Sequence, residues 1–167
     1  NYLQRVDERV ITVSDENFFL LQEKICDQLF PLEKGIQLIG ITGTNGKTTV
    51  AFLAAQIAQM SGKNAASVGT LGLSDGFGKI IKTHETTTPS YIDFRKELYW
   101  LENNSEVEYL FIEMSSHALE QNRILNFTLT AAGWTNITQD HLDYHKTFEN
   151  YFQAKLKIKE LLNAPSK

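Results

Sequence analysis

Lys47 follows Gly46 and precedes Thr48 and Thr49 in the run Gly40-Ile41-Thr42-Gly43-Thr44-Asn45-Gly46-Lys47-Thr48-Thr49. Such residues, so spaced, can grip a chain of phosphates. Glycines let the backbone turn tightly, so that several N–H groups converge on one anion. The lysine reaches the terminal phosphates, and a threonine hydroxyl suits a magnesium ion. The strict G-x-x-x-x-G-K-[ST] spacing is not met, because Ile41 stands where the first glycine is required. Gly43 supplies the flexibility instead. The G-x-G-x-x-G fingerprint of dinucleotide sites is absent.

Three further constellations carry possible chemistry. Glu113 heads Met114-Ser115-Ser116-His117. A carboxylate leaving a strand beside a phosphate loop can hold magnesium, directly or through water; capping the next turn is the alternative. Asp140-His141-Leu142-Asp143-Tyr144-His145 sets two histidines on one face if the stretch is helical. A zinc pair there lacks the glutamate of H-E-x-x-H, and a metal-free hydrogen-bonded turn is the other reading. Lys155 falls on the stripe Tyr151, Lys155, Ile158, Leu162. Its ammonium either snorkels to solvent or is held against a metal site.

These groups need elements to position them. Periodicity predicts strands over 10–13, 36–42, 65–69, 107–114 and 128–134. A hairpin is expected within 70–83 around Asp75-Gly76. Helices are expected over 15–30, with Ser14 as N-cap and Pro31 as stop, and over 47–60, 91–102 and 146–162. The 47–60 helix is expected to bury Val50, Leu53, Ala54, Ile57 and Met60. Strands alternating with helices indicate an α/β layer around a mainly parallel sheet.

Composition narrows the class. The chain has 167 residues, enough for one core and a short attached segment. Lys plus Arg is 16 against 20 for Asp plus Glu, a net charge of -4, which gives no nucleic-acid footprint. The single cysteine, Cys26, excludes a disulfide within the chain. No apolar run reaches about 18 residues, so no transmembrane span is expected. Asn1 to Arg9 carries no signal-peptide pattern.

The run Thr42 to Thr49 resembles the phosphate loop of the Mur ligases, cytoplasmic enzymes that add amino acids in peptidoglycan synthesis. Glu113 to Leu119, Gln121, Arg123, Thr135-Asn136, Asp140 to His145 and Tyr151 to Lys155 resemble the same family. The loop alone is also similar to that of cyanophycin synthetases. The resemblance implies a P-loop NTPase-like central domain, present in part, and an ATP-dependent, amide-bond-forming ligase of cytoplasmic location. It implies a UDP-linked muramoyl dipeptide as carboxylate substrate and a diamino acid, meso-diaminopimelate before L-lysine, as amine. Residues 1–34 would be the tail of a UDP-substrate domain and 35–167 the first half of the ATP-binding domain.

It also implies roles. Gly43, Thr44, Asn45, Gly46, Lys47, Thr48, Thr49 and Asn136 would surround ATP. Thr48 and Glu113 would hold one magnesium; His141 and Lys155, the latter as a carbamate, would hold a second. Thr86, Thr87, Ser115, Gln121 and Arg123 would contact the muramoyl dipeptide. Lys47, Glu113, His141 and Lys155 form the expected catalytic set. A family member carrying only this part is expected to be inactive alone and to self-associate through its uncovered sheet edge. The competing classes are a noncatalytic ATP-binding module and a phosphate-loop NTPase of motion or signalling. The latter lacks its D-E metal strand here.

Overall fold

A computed structural model of the chain describes residues 14–124 and 126–162. It divides into two units, up to Pro31 and from Leu32 onward. The first unit contains helix α1 (Asp15–Leu29). Ser14 stands at its N-cap, as expected, although its hydroxyl takes the Asn17 side-chain amide rather than a backbone N–H. Cys26 is buried, while Phe18, Leu21, Ile25 and Leu29 are exposed. The strand expected over 10–13 lies outside the described residues.

The second unit is a sheet of six strands: β1 (Gln37–Thr42), β2 (Ala65–Gly69), β3 (Gly72–Asp75), β4 (Ile80–Lys82), β5 (Tyr109–Glu113) and β6 (Leu129–Trp134). Their order is β4-β3-β2-β5-β1-β6. The four strands β2, β5, β1 and β6 are parallel, and the hairpin β3–β4 adds to β2 antiparallel. Parallel strands covered on both faces read as unbroken apolar runs, as in Leu110, Ile112 and Val68 of the core. Polar core groups come paired: the hydroxyls of Ser67 and Ser74, opposite each other on β2 and β3, lie 2.7 Å apart.

Helix α2 (Lys47–Met60) crosses from β1 to β2. Its buried face is Ala51 and Ala55, not the larger apolar residues expected there. Val50, Leu53, Ile57 and Met60 are exposed. The small alanines let the helix axis approach the sheet, which turns the longer side chains outward. Helix α3 (Tyr91–Asn104) starts at Ser90, whose hydroxyl accepts the Asp93 N–H. Helix α4 (Ser116–Glu120) follows β5.

The final helix expected over 146–162 is divided at Lys157, and a separate turn precedes it. A single turn, α5 (Leu142–His145), is followed by α6 (Phe148–Leu156) and α7 (Ile158–Leu162). His141 and Lys146 take left-handed backbone angles, φ 51° and 69°, which a right-handed helix excludes. Thr147 then starts α6 afresh, accepting the Asn150 N–H.

Candidate functional site at the carboxyl ends of the strands

Loops leaving β1, β5, β6 and β2 converge at one end of the sheet. In open α/β sheets ligands bind outside the carboxyl ends of the strands, where connections diverge to opposite sides. Here β1 lies between β5 and β6, and its loop, 43–46, opens at that point.

Gly43 has φ 142° and Gly46 φ 82°. A Cβ on Gly43 would overlap the Thr135 hydroxyl. The loop is braced from behind. Asn136 accepts the Thr44 N–H on its carbonyl at 3.0 Å and the Asn45 N–H on Oδ1 at 3.0 Å, and its Nδ2 donates to Asn45 O. Thr135 Oγ1 donates to Asn45 O at 2.6 Å. The Thr44 hydroxyl is buried against Thr138 and the Tyr151 hydroxyl, 2.9 Å away. The amides of Thr44 and Asn45, expected to face an anion, are therefore occupied by Asn136. The amides from Gly46 to Thr49 have no backbone turn partner among the described residues; the first helical amide with one is Val50, on Gly46 O. A helix N-terminus with free amides is an anion site.

Two ammonium groups meet at Gly43 O. Lys47 Nζ donates to it at 3.1 Å and to Thr44 O at 2.8 Å. Lys155 Nζ donates to it at 2.7 Å. Lys155 is 1% exposed, so it does not snorkel. Burial, then the Lys47 charge, lowers its pKa to about 8, against a smaller pull from Asp140. Burial likewise lowers Lys47, opposed by the charges of Glu113 and Asp140. The Lys155 ammonium also lies 4.7 Å from the centre of the Tyr151 ring.

Glu113, at the end of β5, is buried. Thr70 donates its N–H to one carboxylate oxygen and its hydroxyl to the other, each at 3.1 Å. Gly69 permits this, since a Cβ there would overlap the Glu113 side chain. Glu113 and Thr48 line the same small cavity. The carboxylate is thus an oriented acceptor facing the helix start, not a cap of the next turn. That cap is Ser115, which accepts the Ala118 N–H.

The remaining expected residues form a rim. Thr88 Oγ1 donates to Glu113 O at 2.8 Å and accepts the Ser115 N–H. Arg123 donates to Thr88 O and to Gln121 Oε1. Thr87 Oγ1 lies 3.2 Å from Thr70 Oγ1, and Thr86 Oγ1 donates to Thr88 O. Thr86, Thr87, Ser115, Gln121 and Arg123 are therefore brought around Glu113. His141 sits in a cluster of rings: His117 is 4.8 Å and Tyr151 6.3 Å away, centre to centre. His117 packs on Tyr144 at 4.2 Å. His145 is buried with Nε2 2.9 Å from Ser116 Oγ, and burial lowers the pKa of both His117 and His145. Among the described residues no group of three or more His, Cys, Asp or Glu side chains is placed to hold a metal ion.

The sequence reading gave no supporting role to Thr70, Thr88, Thr135 or Tyr151, although the resemblance ran through Thr135 and Tyr151. Thr70 and Thr135 each follow a strand end by one residue.

A mainly parallel sheet with a glycine turn and free helix amides at its switch point defines an α/β nucleotide-binding domain of the phosphate-loop type. The chain matches the profile of the Mur ligase middle domain over residues 41–166, and it belongs to the Mur ligase family. A UDP-N-acetylmuramoyl-L-alanyl-D-glutamate–2,6-diaminopimelate ligase of Rickettsia felis is 42% identical over 155 residues, spanning 92% of this chain and 28% of that protein. The protein of that description from Buchnera aphidicola is 41% identical, spanning 90% of this chain and 32% of its own length. The solved structure of a ligase so described superposes with a TM-score of 0.68 at 29% identity, covering 81% of this chain and 26% of that one. The chain thus spans less than a third of the length of these relatives.

Proposed function

We propose that this chain is the ATP-gripping part of a ligase that joins a diamino acid, meso-diaminopimelate, to UDP-N-acetylmuramoyl-L-alanyl-D-glutamate. In this reading the free carboxylate of the dipeptide attacks the γ-phosphorus of ATP and ADP leaves. The amine of the incoming amino acid then displaces phosphate from the acyl phosphate. The Gly46 to Thr49 amides and Lys47 bind the phosphates and offset charge on the transferring group. Thr44 and Asn136 act through the shape of the loop. Thr86, Thr87, Ser115, Gln121 and Arg123 orient the carboxylate substrate. Residues 1–34 belong to the domain that holds its uridine end, 35–167 to the domain that holds ATP, and the enzyme works in the cytoplasm. Among the described residues no helix is long and apolar enough to cross a membrane.

Magnesium is implied by the family. The Glu113 carboxylate, pinned by Thr70 and sharing a cavity with Thr48, is a hard oxygen donor set that fits it. Bound there, the ion would supply charge stabilisation at the β- and γ-phosphates. His141 and Lys155 fit a second ion only if Lys155 is carbamylated, because an ammonium has no lone pair to give. A buried lysine with a pKa of about 8 keeps an appreciable share of reactive free amine near neutrality, which favours that modification.

The observation that carries the proposal is the convergence of Lys47 and Lys155 on Gly43 O beside an oriented Glu113. The test is an assay of the full-length parent with the UDP-linked dipeptide, ATP and each candidate amino acid. Phosphate release with diaminopimelate but not lysine is expected. Release with neither overturns the ligase reading.

A further inference from the structure

Glu97 lies on α3, far along the chain from the phosphate loop, and is 3% exposed. The side-chain nitrogens of two residues from the neighbouring strand end converge on one of its oxygens. Lys82 Nζ, on the last residue of β4, is 3.2 Å from Oε1, and His84 Nε2 is 3.2 Å from the same atom. The Lys82 contact is a hydrogen bond. The His84 contact is at ion-pair distance without an aligned hydrogen bond, and Glu97 Oε2 has no hydrogen-bond partner. Burying a carboxyl group so incompletely satisfied is unfavourable, and such a group in a folded protein calls for an explanation.

Its place is specific. Residues 83–90 join β4 to α3 and carry Thr86, Thr87 and Thr88. The far end of this segment is fixed by Ser90, which caps the helix, and its middle by Thr88 on Glu113 O and Arg123 on Thr88 O. The near end, at Lys82 and His84, is held by Glu97. A helix that begins where the loop ends thus reaches back to grasp where the loop begins. Thr86, two residues beyond His84, is exposed and donates to Thr88 O, so it lies between the two anchored ends.

We propose that Glu97 is a positioning residue: through Lys82 and His84 it straps loop 83–90 to α3 and so sets where Thr86 and Thr87 meet the carboxylate substrate. This rests on the assignment of those threonines to substrate made above. Burial raises the carboxyl pKa of Glu97 and lowers that of His84, so the strap does not require a full ion pair.

The experiment compares wild type, Glu97→Leu, Glu97→Gln and His84→Ala. Amide hydrogen exchange is followed in this chain, and steady-state kinetics in the full-length parent. Glu97→Leu is expected to speed exchange at residues 83–87 about tenfold while leaving amides 50–55 of α2 unchanged. In the parent it is expected to raise KM for the UDP-linked dipeptide about tenfold, with KM for ATP and kcat within about twofold. Glu97→Gln, which keeps shape and an acceptor for Lys82, restores most of both, and His84→Ala reproduces part of the loss. Unchanged exchange at 83–87 in Glu97→Leu overturns the strap. So does faster exchange spread evenly over α2, or an equal rise in both KM values. A wild-type parent without ligase turnover overturns the functional reading and the substrate half of this inference, while the exchange arm still decides the strap.

Discussion

Lys155→Met tests the site through stability alone. Methionine keeps an unbranched stem in the space under the phosphate loop and removes the ammonium. In the folded chain burial and the Lys47 charge lower Lys155 from 10.5 to about 8. The sign follows from proton counting. Between these two values the unfolded chain holds more protons than the folded one, so wild-type stability rises with pH across that window. Below about pH 8 the whole penalty stands; above about 10.5 it is gone. The gap corresponds to at most about 3 kcal/mol, and less to the extent that water reaches the loop mouth. The advantage of Lys155→Met over wild type should therefore shrink by about 2 kcal/mol between about pH 7 and pH 10. Urea unfolding in carbon-dioxide-free buffers measures it. Trp134, whose indole N–H donates to Asn136 O beside the loop, is the reporter. Burial raises the Tyr151 pKa, which lowers stability above about pH 10 in both proteins and cancels in the difference. Parallel pH profiles for the two proteins would refute the argument that an unmodified Lys155 is a strained, buried cation.

Three further outcomes follow from the geometry. Lys47→Ala should weaken magnesium–ATP binding by about tenfold or more, the worth of one charge-assisted hydrogen bond, without lowering the melting temperature appreciably; calorimetric titration reads the first and thermal melting the second. Gly69→Ala should push the Glu113 carboxylate off its Thr70 donors. The magnesium concentration needed for half-maximal ATP binding should then rise about tenfold, with metal-free ATP binding nearly unchanged. Ser67→Ala should cost about 1–3 kcal/mol in urea unfolding by leaving the buried Ser74 hydroxyl alone, and adding Ser74→Ala should recover much of that loss.

Much of the architecture was legible because it is written in short-range patterns. Strand runs such as Tyr109–Glu113 and the glycine turn before Lys47 are local signals. Spacing accordingly put the phosphate loop between a strand and a helix, Glu113 at a strand end and Lys155 on an apolar stripe, but left open whether Lys155 reaches solvent. What was not legible depends on distance in space. The exposed side of α2 was misassigned because hydrophobicity alone does not say that alanines, being small, will face the sheet. The separate turn α5 before α6 is bounded by His141 and Lys146, both at positive φ, and neither is a glycine or a proline. The grip of Asn136 on the Thr44 and Asn45 amides joins positions far apart in the chain, so no local pattern could show which loop amides remain for an anion.

The central claim is that the start of α2, with its amides from Gly46 to Thr49, receives the phosphate tail of a nucleotide. Backbone amide resonances of this chain, followed during titration with magnesium–ATP, test it most directly. The account predicts large, saturable shifts confined to Gly46–Thr49 and neighbouring Gly43, lost in Lys47→Ala. Shifts that saturate elsewhere while these amides stay still would contradict it.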